Sequence, residues 1–330
     1  FSVSGKKEAL IPRSQVPFLE KMAQQVAGAV QAAELLREAT DARSRAEAFQ
    51  AATEAARESS EALLSKILPV KVAEELKREG RVEPLFYDSV SVIFTDFVGF
   101  TRASQKMMPH ELVEELDGCF SQFDEVAKRN NIEKLKTIGD AYMCAAGVPV
   151  INQAHAIDAC LAALEFREFM LQMMEVKKAV GSDYWQIRIG IHSGPVTAGV
   201  IGNNKFAYDI WGDTVNTASR MESTGEPDKV NISGATYKLV KDFFECEYRG
   251  QIEAKGKGSL DMYFLLRIKP GLCADEAGLL PNGKFEMMRA KVADPFLDLA
   301  VGSGVSTNGL KAGPTPEPGI AEIDRKRQDW

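Results

Sequence analysis

Ile132-Glu-Lys-Leu-Lys-Thr-Ile-Gly-Asp140-Ala-Tyr-Met-Cys-Ala-Ala146 reads as two strands, Ile132–Ile138 and Ala141–Ala146, folded back at Gly139-Asp140. A Gly-Asp pair between β-prone runs supplies the backbone freedom that a tight hairpin needs. Upstream lies an amphipathic helix, His110–Lys128, with Leu112, Leu116, Phe120 and Phe123 along one face. Before it comes a β-branched strand, Ser89–Thr95. Downstream, Ala154–Met174 reads as a second long helix. Gln186–His192 and Val196–Ile201 follow as strands around a Ser193-Gly194-Pro195 turn. The order β-α-β-β-α-β is the ferredoxin-like pattern. It predicts an α+β domain over residues 85–268 with an antiparallel-rich central sheet.

The flanks differ in character. Residues 15–68 are rich in Ala, Glu, Arg, Gln and Leu, with Pro only at the edges, at Pro17 and Pro69. Leu19, Met22, Val26, Ala29, Ala33 and Leu36 follow the 3–4 alternation of a coiled-coil seam. That register fails at Arg43, Glu47 and Gln50, and a new one runs from Ala46 through Phe49 and Ala56 to Leu63 and Ile67. The expectation is a parallel dimeric stalk. Residues 69–84 read as a bridge, with a short amphipathic helix carrying Val72, Ala73 and Leu76, closed by Gly80. Residues 1–14 look like the end of an upstream sensor domain. Residues 269–330 lose periodicity and carry Gly, Pro, Ser and Thr, which predicts a flexible tail for most of them. Gly278 to Lys284 matches GxxxxGK, but Phe285 stands where a P-loop needs Ser or Thr and Pro281 lies inside it.

Of the 330 residues, 45% are apolar, enough for a sizeable core. A net charge of −7 argues against nucleic acid as the main partner, since phosphate-backbone binding needs a broad basic surface. Five cysteines without CxxC spacing read as reduced thiols in a cytoplasmic protein, and the three histidines form no zinc motif. No apolar run is long enough to span a bilayer.

Three stretches carry chemistry. In Phe94-Thr-Asp-Phe-Val-Gly-Phe-Thr101 a hydrophobic strand ends in the carboxylate of Asp96, and Gly99 then permits a tight turn toward a helix. Backbone N–H groups at such a junction point at anions, and Mg²⁺ takes one or two carboxylates plus phosphate oxygens. Asp140 sits at the hairpin tip; if its strands lie beside the strand ending at Asp96, the two carboxylates converge on a two-metal site. In Tyr208-Asp-Ile-Trp-Gly-Asp-Thr-Val-Asn-Thr-Ala-Ser-Arg220, a Trp211-Gly212 turn precedes a helix that Asp213 or Thr214 can cap. Asn216 and Arg220 then share one helix face, suited to a developing phosphoryl charge.

Together with Ile187-Arg-Ile-Gly-Ile-His-Ser-Gly-Pro-Val196 and Lys255-Gly-Lys-Gly258, these motifs resemble class III nucleotidyl cyclases over about residues 69–267. The resemblance implies that Asp96, Asp140 and the backbone carbonyl of Phe97 hold two Mg²⁺ ions, for which Mn²⁺ can substitute. It implies that Asn216 orients the ribose, Arg220 stabilises the transition state, and Arg188 and Lys255 contact phosphates. It implies that the backbone at Gly99, Phe100 and Thr101 holds the leaving group and that Ile210 is among the substrate-binding residues. It further implies a head-to-tail homodimer with two composite sites: the metals come from one subunit, and Asn216, Arg220, Lys255 and the purine readers from the other. Lys136 and Asp209 match the base-reading pair. A lysine donor facing adenine N1 and an aspartate acceptor facing the 6-amino group complement adenine, whereas guanine presents the reverse. The expectation is an adenylyl cyclase making cyclic AMP from ATP, governed through the stalk by the sensor.

Overall fold

The computed structural model describes residues 12–105, 107–181, 184–202, 206–254 and 258–294. The chain divides into two compact units, Phe1–Glu74 and Glu75–Trp330. The proposed sensor remnant falls almost wholly outside the described residues.

In the first unit, α1 (Val16–Leu64) is one uninterrupted helix with no buried residue. Pro17 starts it, where a missing N–H costs nothing. Ion pairs such as Arg43–Glu47 and Arg57–Glu61 brace its exposed sides one turn apart. Leu19, Met22, Val26, Leu36 and Phe49 stand exposed along it. The helix is therefore held by its own backbone bonds and these local pairs rather than by burial. The bridge forms α2 (Val70–Glu79), burying Val72 and Ala73, and Gly80 follows at φ 71°.

The second unit is built on a sheet of order β2-β3-β1-β4-β6-β8-β7, with β5 hydrogen-bonded to β4. In chain order its elements are β1 (Leu85–Val98), α3 (Phe100–Ser104), α4 (Pro109–Arg129), β2 (Ile132–Ile138), β3 (Ala141–Ala146), α5 (His155–Ala179), β4 (Gln186–Ile201), β5 (Ala207–Trp211), α6 (Asp213–Ser223), β6 (Lys229–Ser233), α7 (Gly234–Val240), β7 (Phe244–Ala254), β8 (Gly258–Ile268) and α8 (Gly283–Ala293). Every pairing is antiparallel except β4 with β6. The first four strands and two long helices give the expected ferredoxin-like α+β core. The hairpin has the boundaries read from sequence.

α4 and α5 cover one face of the sheet. Phe97, Phe120, Phe123, Tyr142, Phe166 and Trp185 interlock there, with the Phe123 and Phe166 rings 4.5 Å apart. Ile187, Ile189 and Ile191 of β4 join this core. By strand alternation, Arg188 and Gly190 face the other way, toward α6.

Three expectations need correction. No turn occurs at Ser193-Gly194-Pro195: β4 runs straight through, and the irregularity sits in its partner, where the β1 register shifts between Tyr87 and Val90. The displaced backbone around Pro195 lets a residue without an N–H stay within the strand. Neither Asp213 nor Thr214 is the N-cap of α6; that position is Gly212, at φ 145°, and the Thr214 hydroxyl donates instead to the Pro195 carbonyl at 2.7 Å. Finally, the segment after β8 is not all tail. Phe285 of α8 is fully buried, and Arg289 donates to the buried Asp158 of α5 at 2.6 Å. Residues 295–330 lie outside the described residues.

Candidate active site

Asp96 and Asp140 converge. β1 pairs with β3 up to Thr95↔Tyr142, so the hairpin tip that holds Asp140 lies beside the C-terminal end of β1. The Asp140 carboxyl lies close enough to the Asp96 carboxylate and to the Phe97 backbone N–H to feel both. Burial first, then the charge and contact of Asp96, raise the Asp140 carboxyl above the usual range, against the pull of its own and the Phe97 N–H. Two carboxylates in contact repel one another when both are charged, and hard oxygen donors in this arrangement suit a small divalent cation. Among the described residues no three His, Cys, Asp or Glu side chains gather as metal ligands. A cation here would complete its shell with water, backbone or substrate oxygens, which is the ordinary habit of Mg²⁺.

Arg188 lies opposite Asp96 on β4 and donates to its carboxylate. Through Nε it also donates to Glu222 of α6 at 3.0 Å. Burial opposes the charge on Arg188, but the bonds and charges of Asp96 and Glu222 outweigh it and hold the guanidinium more firmly protonated. Glu222 is buried. Its carboxyl rises to about 7, chiefly through burial and then the charge of Asp96, against the pull of Arg188. Arg188, expected from sequence to meet phosphate, thus serves here as counter-ion to the carboxylates. Glu222 was not singled out from sequence; the available signal was a carboxylate two residues after Arg220 in a helix that packs on the sheet.

Lys136 and Asp209 also meet, Nζ to Oδ2, at 2.5 Å. A β-bulge makes this possible. Lys134 pairs with Cys144 and Lys136 with Met143, so Leu135 is the extra residue. Without it, Lys134 and Lys136 would share a face. Lys134 points to the helix-covered face, where it bonds Asp124 of α4 at 2.7 Å. The bulge turns Lys136 to the other face, where β5 brings Asp209. Ile210, next to Asp209, is buried and opposes Ala198 of β4.

Asn216 and Arg220 sit one turn apart on α6. Thr214, Thr217, Ala218, Met221 and Glu222 form its buried side. Successive residues turn about 100°, so Arg220 and Glu222 are separated by about 200° around the helix. Glu222 faces the sheet and Arg188, while Asn216 is exposed and Arg220 half-buried on the outward side. The helix body therefore stands between the Asn216/Arg220 pair and the Asp96/Asp140 pair of the same chain.

Gly99, at φ 74°, ends β1, and Phe100 opens the five-residue α3 with its ring edge-on to Trp185 at 5.4 Å. Thr101 is exposed. Lys255 lies outside the described residues. No described helix is long and apolar enough to cross a membrane.

The family profile described as "Adenylate and Guanylate cyclase catalytic domain" matches residues 82–267. Human guanylyl cyclase C is 42% identical over 220 residues, 65% of this chain and 20% of its own length. An adenylate cyclase of Mycobacterium tuberculosis is 38% identical over 218 residues, 66% of this chain and 48% of its own. The chain thus spans about a fifth to a half of these relatives. Among solved structures, the catalytic core of a rhodopsin-guanylyl cyclase with converted specificity, in complex with ATPαS, superposes with a TM-score of 0.52 at 39% identity, covering 56% of this chain and 97% of that one.

Proposed function

The chain belongs to the class III nucleotidyl cyclases, and from that premise we propose that it is an adenylyl cyclase, converting ATP to 3′,5′-cyclic AMP and pyrophosphate in a homodimer with two composite sites. The observation that carries the choice of purine is the Lys136–Asp209 pair. A donor and an acceptor held together on one face of the sheet match N1 and the 6-amino group of adenine. Guanine would oppose donor to donor and acceptor to acceptor, leaving groups unpaired at about 1–3 kcal/mol each.

Asp96, Asp140 and the Phe97 carbonyl would hold two divalent cations, Mg²⁺ or Mn²⁺, which supply Lewis acidity at the ribose 3′-oxygen and the phosphates. The chain's own residues do the rest. Asn216 orients the ribose so that O3′ stands in line with the α-phosphorus. The 3′-hydroxyl proton passes to a solvent water as the bond from O3′ to phosphorus forms and the bond to the bridging oxygen breaks, releasing pyrophosphate. Arg220 neutralises charge on the α-phosphoryl group. Arg188, Lys255 and the backbone at Gly99, Phe100 and Thr101 take up the charge of pyrophosphate. The outward placement of Asn216 and Arg220 supports a site shared between two copies, since they face away from the carboxylates of their own chain. The stalk α1 would join the copies and transmit the state of an upstream sensor.

The test is product formation by the purified chain with ATP or GTP as sole substrate and Mg²⁺ or Mn²⁺ present. Cyclic AMP with little cyclic GMP is the expected result. Dominant cyclic GMP, in line with the guanylyl cyclase relatives, would overturn the purine reading and leave the family intact.

A further inference from the structure

Arg188 bonds two carboxylates at once, and only Asp96 belongs to the convergent pair. A guanidinium is a rigid planar fork, so its Nε bond to Glu222 and its terminal-nitrogen bond to Asp96 use different donors and can break independently. The Asp96 bond is the vulnerable one. A carboxylate that accepts a divalent cation commits its lone pairs to that ion, and the ion's charge repels a neighbouring guanidinium. Glu222 stands outside the convergent pair and keeps its bond to Nε.

Glu222 is also held in place by backbone packing. A Cβ on Gly190, two residues from Arg188 on the same face of β4, would lie 2.0 Å from the Glu222 nitrogen and 2.5 Å from its Cα. The helix end is thus seated directly on the strand that carries Arg188. The Asn231 side chain of β6 reinforces it by donating to the Met221 carbonyl at 2.7 Å. The carboxylate of Glu222 therefore has a fixed origin, set by main chain rather than by a flexible stem.

We propose that Glu222 is a positioning residue for Arg188: it keeps Nε anchored while the terminal nitrogens turn from Asp96 to the triphosphate of the bound nucleotide. One guanidinium then serves twice, first as counter-ion to Asp96 and afterwards as a contact for the leaving pyrophosphate. The inference rests on the reading of Asp96 and Asp140 as metal ligands. It adds the reason why Arg188 stays within reach once its bond to Asp96 is lost.

The test uses the full chain and measures equilibrium binding of pyrophosphate with Mg²⁺ by calorimetry, alongside turnover of ATP. Glu222→Ala is expected to weaken pyrophosphate binding about tenfold, the loss of one charge-assisted contact, and to raise KM in step. Binding of 3′-AMP, which lacks a polyphosphate, is expected to stay unchanged, a selectivity that general loosening of α6 would not produce. The double variant Glu222→Ala with Arg188→Ala should bind pyrophosphate no more weakly than Arg188→Ala alone. Glu222→Gln keeps a neutral acceptor of the same shape; it should retain part of the binding, and it serves as the reporter if the alanine variant does not fold. Normal pyrophosphate binding in the folded Glu222 variants, or losses that add in the double variant, would overturn the proposal. Asp96→Ala is read in parallel. Full turnover there would sink the metal reading itself. Loss of turnover there, combined with normal pyrophosphate binding in the Glu222 variants, would sink only the anchoring role.

Discussion

The Cβ that Gly190 lacks would stand 2.0 Å from the backbone nitrogen of Glu222, closer than any atom can be accommodated. α6 lies on β4 because that position is glycine. Gly190→Ala must lift the helix end off the sheet and carry Glu222 away from Arg188. Overpacking a core costs about 1–3 kcal/mol, and here backbone meets backbone, so the upper end is expected. Urea unfolding should show that loss, and cyclase activity should fall further than stability.

Lys136 and Asp209 are expected to set the purine. Lys136→Ala removes the donor and leaves the Asp209 carboxylate without its partner, so kcat/KM for ATP should drop about 10- to 100-fold. Lys136→Glu with Asp209→Cys should shift preference toward GTP, as the ratio of the two kcat/KM values would report. An unchanged ratio would place base recognition elsewhere.

Composite sites predict complementation. Asp96→Ala and Arg220→Ala chains should each be nearly inactive alone. Mixed, they should regain activity through the one intact site of the heterodimer. Heterodimers seen by native mass spectrometry without recovered turnover would rule out sharing.

Asp158 is fully buried and bonded by Asn152 at 2.6 Å and by Arg289 of α8 at 2.6 Å. Arg289→Ala leaves that carboxylate short of its counter-charge, a change that costs about 3–5 kcal/mol at buried pairs. Arg289 is about a quarter exposed at its side chain, so the lower end is expected in urea titrations. Truncation after Lys269 should be worse, because it also uncovers the pocket of Phe285.

His155 is buried, with Nδ1 2.8 Å from the Ser91 hydroxyl, which in turn meets Ser193. Burial lowers its pKa from 6.5 to about 4, against the opposing charge of Asp158. Between those values the unfolded chain takes up a proton that the folded chain refuses, so stability falls as pH drops from 6.5 toward 4. Over the full interval this amounts to about 3 kcal/mol. Glu133 and Glu222 act in the opposite sense, since burial raises each to about 7 and the folded state binds their protons first. The quantity to measure is therefore the wild-type pH profile minus that of His155→Gln, by urea unfolding from pH 7 to 4. A flat difference would show that His155 binds its proton equally in the folded and the unfolded chain.

Much of this was legible in the residues themselves. The hairpin at Gly139-Asp140, both long helices and the two carboxylates follow from local periodicity, turn chemistry and motif spacing. So does the pairing of Asn216 with Arg220 on one helix face. The expected turn at Ser193-Gly194-Pro195 did not materialise because Gly and Pro usually punctuate, whereas here an irregularity in the opposing strand absorbs them. The ordering of residues 270–294 was hidden for a related reason: its anchors, Phe285 and Arg289, are paid for by partners such as Phe243 and Asp158 that lie far away in sequence.

The order of elements, the family resemblance and the identity of the chemical groups can be read from the residues alone, since these depend on residue type and short-range spacing. Which groups meet is settled by packing. The bulge at Leu135 turns Lys136 toward Asp209, and the absent Cβ of Gly190 seats Glu222 beside Arg188. The rotation of α6 sends Arg220 away from the carboxylates of its own chain. Each outcome depends on strand register or helix rotation, and a shift of one residue in either exchanges one face for another.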